Sequence, residues 1–172
     1  MTTAPGGFDA VRFLRDELHR SLHGQAWHGP ALLEALREVS WQQAITRPAT
    51  GSHGIAEIAG HCIAWLEEVT RRLDGSAPCM PARGDWNDMS QLVEDDWTNM
   101  LRELAAAGEA LDAALANLAP ERLLAVCGDG LDHDAPLGSG VRFATMLNGV
   151  IQHNVYHAGQ VVLLARMSHS SR

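Results

Sequence analysis

Apolar residues recur along this chain at spacings of three and four, and almost nowhere at alternate positions. That periodicity is the mark of helices with one buried face. Val11, Leu14, Leu18 and Leu22 predict a first helix over residues 8–22, ended by Gly24. Pro30 then suits the first turn of a continuation over 31–39, because that position needs no N–H, and Leu32, Leu33, Leu36 and Val39 give the continuation its apolar face. A second stripe reads Ile55, Ile58, then His61 or Cys62, then Trp65, Val69 and Leu73. It predicts a helix opened by Ser52 as N-cap and closed at Asp74-Gly75. The third stripe is Trp97, Met100, Leu104, Ala107, Leu111, Leu115 and Leu118, on a helix over 90–118. Its near-heptad spacing fits a seam in a left-handed bundle. The fourth helix, over 140–167, carries Phe143, Met146, Val150, His153, His157, Val161 and Leu164.

Strand signals are nearly absent, with no Val/Ile/Thr alternation and no hairpin turn between apolar runs. Residues 47–51 read as a loop, and 76–89 and 126–140 as two long ones. Four such helices must cover one another's apolar faces. The expected fold is therefore all-α: an antiparallel four-helix bundle with two long loops and an interrupted first helix. A single domain is expected over 1–172, with a frayed polar tail at 168–172.

Composition narrows the function. With 172 residues the chain can bury ~70% of its unfolded surface, and its hydrophobic content of 46% is that of a globular protein. The net charge is −8, and all 13 basic residues are Arg. An acidic surface with no basic cluster repels phosphate backbones, so no nucleic-acid partner is expected. No basic and apolar leader is seen at the N-terminus, and no apolar run approaches a membrane span. Cys62, Cys79 and Cys127 have no paired spacing, which suits a reducing cytoplasm. A soluble cytoplasmic protein is the expectation.

The informative chemistry lies in the fourth stripe. His153 and His157 occupy two successive seam positions where Leu or Val is expected. Residues at i and i+4 share one helix face, ~6 Å apart along the axis. Their imidazoles can converge on one metal ion at ~2.1 Å per nitrogen. A buried polar ring without a partner costs ~1–3 kcal/mol, so two in one seam need a reason. The plainer explanation is that each ring bonds a facing carbonyl or side chain. On the second helix, His61 and Cys62 fit the seam almost equally well; an inward His61 would add a third nitrogen. Three His with an open fourth position make a catalytic kind of site. Asn154 stands where a zincin would carry its general-base Glu, and no Glu-x-x-His occurs for a di-iron bundle. A mononuclear site is the reading that remains.

Three segments carry a family likeness: Ala26-Trp27-His28-Gly29-Pro30; Gly51-Ser52-His53-Gly54-Ile55 leading to Gly60-His61-Cys62-Ile63-Ala64-Trp65; and Ile151-Gln152-His153-Asn154-Val155-Tyr156-His157-Ala158-Gly159-Gln160. In these the chain resembles the DinB/YfiT-like superfamily of metal-dependent enzymes. The resemblance spans nearly the whole chain, and its most specific part is the final H-x-x-x-H-x-G-Q. It implies a four-helix bundle, often a homodimer, in which His61, His153 and His157 bind one divalent ion, commonly nickel or zinc. It favours His61 over Cys62 as the upstream position. It also implies a small-molecule substrate and, in some relatives, transfer or isomerisation with a low-molecular-weight thiol such as bacillithiol, mycothiol or glutathione. Ala56 and Gly60 are smaller than the family's bulky residues near the upstream His, which implies a roomier pocket.

Other residues carry weaker expectations. His28 and His53 lie near helix starts and read as local hydrogen-bonding or capping groups rather than pocket walls. Glu57, one turn before His61, reads as a solvated carboxylate favourable to the helix dipole more readily than as an acceptor for His61's second nitrogen. Gln160 reads equally as a substrate contact or a bundle hydrogen bond. No Cys has an adjacent base. Asp129, Asp132, His133 and Asp134 lack calcium-loop spacing and read as a solvated connection. The function expected is a metal-dependent thiol S-transferase, its electrophile pocket lined by the two long loops. A metal-assisted hydrolase and a non-catalytic metal-binding or stress-response module are the alternatives.

Overall fold

The fold is described from a computed structural model covering residues 7–48, 51–128 and 140–169, with the side chain of residue 169 left aside. Six α-helices follow one another among these residues: α1 (Ala10–His23), α2 (Leu32–Arg37), α3 (Trp41–Ile45), α4 (Ile55–Leu73), α5 (Glu94–Ala116) and α6 (Phe143–His169). A 3-10 turn, Pro120–Leu124, lies between the last two. The four predicted stripes belong to α1, α4, α5 and α6, and they pack as a ring: α1 against α5, α5 against α4, α4 against α6, α6 against α1. Leu18, Leu22, Ile63, Leu66, Leu104, Leu111, Leu115, Leu147 and Val161 are almost fully buried where the stripes meet. No helix among the described residues is long and apolar enough to cross a membrane.

The helix ends depart from expectation for local reasons. Asp9 caps α1 by accepting from Arg12 N at 3.0 Å. After α1, Gly24 adopts φ 130°, and Glu34 packs so close that a Cβ there would stand 2.5 Å from its Oε1. The expected continuation is therefore a separate short helix, α2, which packs on α6 as well as α1. A further helix, α3, lies between the expected continuation and the 47–51 loop, where no element was predicted; a reciprocal Ser40–Gln43 capping box opens it. Helix α4 starts later than Ser52 suggested. Its N-cap is Gly54, whose N–H donates to Glu57 Oε2 at 2.9 Å. Helix α5 likewise starts at Glu94 rather than 90, because Asp96 accepts from Val93 N at 3.1 Å.

The long loop between α4 and α5 is tied down along its length by charge. Glu68 and Arg72 of α4 are both buried and form an ion pair at 2.6 Å. Glu68 also accepts from Arg71 and from Cys79 N at 2.9 Å, while Arg72 donates to the Cys79 carbonyl at 3.1 Å. Burial works against the Glu68 carboxylate, yet these donors hold its pKa down at about 2. Farther along, Arg83 bridges Glu67 of α4 and Glu103 of α5 at 2.6 and 2.8 Å. The base of the second long loop is closed by Cys127 N donating to Val141 O at 2.8 Å and Phe143 N to Ala125 O at 3.0 Å. The acidic run Asp129, Asp132, His133 and Asp134 lies outside the described residues.

Candidate metal centre

Helix α4 is the most enclosed of the four, buried almost continuously from Ile55 to Ala64. That is why periodicity alone left His61 and Cys62 undecided: both are buried. The rings settle which one reaches α6. His61 Nε2 lies 2.8 Å from His153 Nε2, and His157 Nε2 lies 3.0 Å from the same atom. One ligand atom from each of His61, His153 and His157 falls within 4.8 Å of the others. Cys62 is sealed elsewhere in the core, where burial pushes its thiol pKa up.

The outer ring nitrogens fix the tautomers. His61 Nδ1–H donates to Asp85 Oδ1 at 2.8 Å. Gln160 Nε2 donates to the Tyr156 hydroxyl at 3.1 Å, which leaves its Oε1 to accept from His157 Nδ1–H at 2.6 Å. With their protons on Nδ1, His61 and His157 turn Nε2 lone pairs toward His153. His153 Nδ1 is buried with no hydrogen-bond partner among the described residues. All three imidazoles are held neutral. Burial pushes His153 down to about 3, and the neighbouring His157 and His61 add to the shift. Burial also takes His157 to about 4, against the Gln160 hydrogen bond. Burial lowers His61 despite the opposing pull of Asp85.

Three neutral rings so close cannot all satisfy the nitrogens that face one another, because the Nδ1 positions of two already hold their protons. A shared cation would satisfy all three. Nitrogens bound to one ion at ~2.1 Å stand ~3.0–3.4 Å apart for bond angles of 90–110°, near the 2.8 and 3.0 Å on either side of His153, while the His61–His157 pair, within 4.8 Å, would draw together around an ion. The donor set is imidazole only, which suits zinc, nickel, copper or iron.

The loop at 76–89 supplies two residues that the sequence reading missed. Asp85 Oδ1 accepts from His61 and also from Trp65 Nε1 at 2.8 Å. Trp86 lies flat between two histidines, 3.8 Å from the His61 ring and 3.7 Å from His53, within 8° of parallel to each. The only hint in sequence was an Asp-Trp pair inside a polar, Pro- and Gly-containing stretch.

Other expectations fare differently. Glu57 is buried rather than solvated, ion-paired with Arg47 and capping Gly54, and it is not the acceptor for His61. His53 does line a cleft with Trp86, Tyr156, His157 and Gln160. His28 is exposed and borders a separate groove with Trp27, Ile151 and Val155. The room beside Gly60 is taken by Met89, whose Cε would lie 2.8 Å from a Cβ there, so the small residue admits a loop side chain instead of enlarging the pocket.

Comparison with known proteins agrees with this architecture. The profile of the DinB superfamily matches residues 26–161. A solved structure, a conserved protein from Enterococcus faecalis, is similar with a TM-score of 0.69 at 18% identity, covering 96% of this chain and 100% of that one. At that identity the likeness speaks for the fold alone. Comparison with curated proteins gives no match.

Proposed function

The chain belongs to the DinB superfamily, and from that premise we propose that it is a mononuclear metalloenzyme of the thiol S-transferase type, with His61, His153 and His157 as the metal ligands. The observation that carries the reading is the convergence of three neutral imidazole nitrogens, two of them oriented by Asp85 and Gln160. A divalent ion with three protein ligands and an open position supplies Lewis acidity that keeps a thiol ionised at neutral pH. The protein's part is positional. Asp85 holds His61 from behind, Gln160 holds His157, and Trp86 covers the face of His61. Such outer partners orient ligating histidines and raise their basicity.

Transfer is preferred over hydrolysis because Asp85, the carboxylate that touches the cluster among the described residues, spends Oδ1 on orienting His61. Asp85 Oδ1 accepts from both His61 and Trp65, so it is poorly placed to take a proton from an attacking water. The reading is tested by elemental analysis of protein purified without an affinity tag, together with His153→Ala. About one ion per chain is expected in the native protein and a loss of most of it in the variant. Equal metal content in the two ends the proposal. Turnover of electrophiles only with an added thiol separates transfer from hydrolysis, which proceeds without one.

A further inference from the structure

Beside the histidine cluster lies a cleft of about 440 Å³, lined by His61 and Trp65 of α4, Met146, Gly149 and His153 of α6, and Asp85 of the loop, with Val69, Arg72, Val141 and Val150 completing its walls. That volume is in the ~300–1,000 Å³ range of small-molecule sites. Among the described residues two charged groups line it, and both are engaged by the protein, Asp85 through Oδ1. Arg72 is buried on Glu68 and on the Cys79 carbonyl, and Asp85 accepts from His61 and Trp65. What remains facing the space is the Trp65 ring, valine and methionine side chains, and two histidines.

Gly149 is the odd residue in this wall. A glycine inside a helix is costly in backbone entropy and is kept where something must come close. Here no described residue does: a Cβ on exposed Gly149 would meet nothing within 4 Å among them, and its backbone is not in the left-handed region. At Gly60 the missing Cβ is filled by Met89 and at Gly108 by Leu22, whereas Gly159, also exposed on α6, is open like Gly149 but lies away from the cleft lining. The space at Gly149 is left open to the cleft.

We propose that this cleft binds an uncharged, apolar part of the substrate, and that Gly149 sets its width. The inference deepens the metalloenzyme reading by naming the substrate's chemical class, and it rests on that reading for what then happens to the bound group. A charged group is disfavoured because the described wall is mostly apolar, through Trp65, Val69, Val141, Met146 and Val150, and offers little to offset its desolvation.

The test uses the full chain and three probes that share a benzene ring: benzyl alcohol, benzenesulfonate and benzylamine. Binding is followed by NMR at the Trp65 indole N–H, with metal content measured on the same samples. Benzyl alcohol is expected to bind at least tenfold more tightly than either charged probe. In Gly149→Leu, which adds a good helix former in open space, its affinity should fall at least tenfold while metal content and helical circular dichroism stay at the wild-type level. Equal binding of a charged probe, or unchanged benzyl alcohol binding in Gly149→Leu, overturns the proposal. Absence of metal with the probe pattern intact would overturn the metal reading and leave the cleft assignment supported.

Discussion

Asp85 offers the sharpest test of how this site is built. A single oxygen, Oδ1, accepts from both His61 Nδ1 and Trp65 Nε1, each at 2.8 Å. Two substitutions therefore separate geometry from charge. Asp85→Asn can keep a carbonyl oxygen at that place and both hydrogen bonds, losing only the negative charge. A charge-assisted hydrogen bond is roughly twice as strong as a neutral one, whose net worth is ~1 kcal/mol. The Asn variant should thus lose ~1 kcal/mol of metal binding, about fivefold in Kd. Asp85→Ala removes the whole bond and lets the His61 ring turn. Its loss should be ~2 kcal/mol or slightly more, on the order of 30-fold, inside the 10–100-fold span for outer partners of metal-bound histidines. The assay is competition with a chromophoric chelator for zinc or nickel. The expected order of affinity is wild type, then Asn, then Ala. An Ala variant within twofold of wild type would refute the argument that Asp85 orients His61.

Three further outcomes follow from the same contacts. Glu68→Gln removes the carboxylate that faces buried Arg72 and holds Cys79 N. Breaking a buried pair from one side costs ~3–5 kcal/mol, so thermal unfolding should move down on the order of 10 °C; a shift under 2 °C would show that the pair anchors nothing. Trp86→Ala should weaken metal binding ~2–10-fold by the same competition assay, since stacked aromatic pairs contribute ~0.5–1.5 kcal/mol, and unchanged affinity would mean the stack does not hold His61. Stripped of metal, the protein should stay helical at pH 7 on its apolar core. His153 and His157 have folded pKa values of about 3 and about 4, below the ~6.5 of an unfolded chain, so the unfolded state binds more protons in acid. The stability that their neutral forms bring is complete above pH ~6.5 and is lost as pH falls through 4 toward 3, at up to ~1.4 kcal/mol per unit for each ring. Urea midpoints of the chelated protein that do not fall between pH 6.5 and 4 would contradict this.

Helix content, the four stripes and the inward turn of His153 and His157 were all legible in the chain, because a 3.6-residue period is a local property and several apolar residues in phase leave little choice of face. Helix boundaries were less legible: Ser52 looked like a cap and the third helix was placed from residue 90, yet the caps formed where Glu57 and Asp96 reach back to a backbone N–H. Such choices depend on which side chain the neighbouring helices leave free. The third histidine was ambiguous from the residues because α4 is buried all round, so its period carries little information at His61 and Cys62.

Asp85, Trp86 and Gly149 were decided only in three dimensions. The first two sit in a loop without period, and their place under His61 follows from the anchors that Glu68 and Arg72 of α4 give Cys79 and that Glu67 and Glu103 give the loop's Arg83. The open space beside Gly149 is bounded by α4, α6 and the loop together, and no one segment encodes it. Local sequence patterns specify which face of a helix is apolar. The residues that meet across that face, and the voids they leave, depend on packing between segments far apart in the chain, for which a single sequence carries no periodic signal.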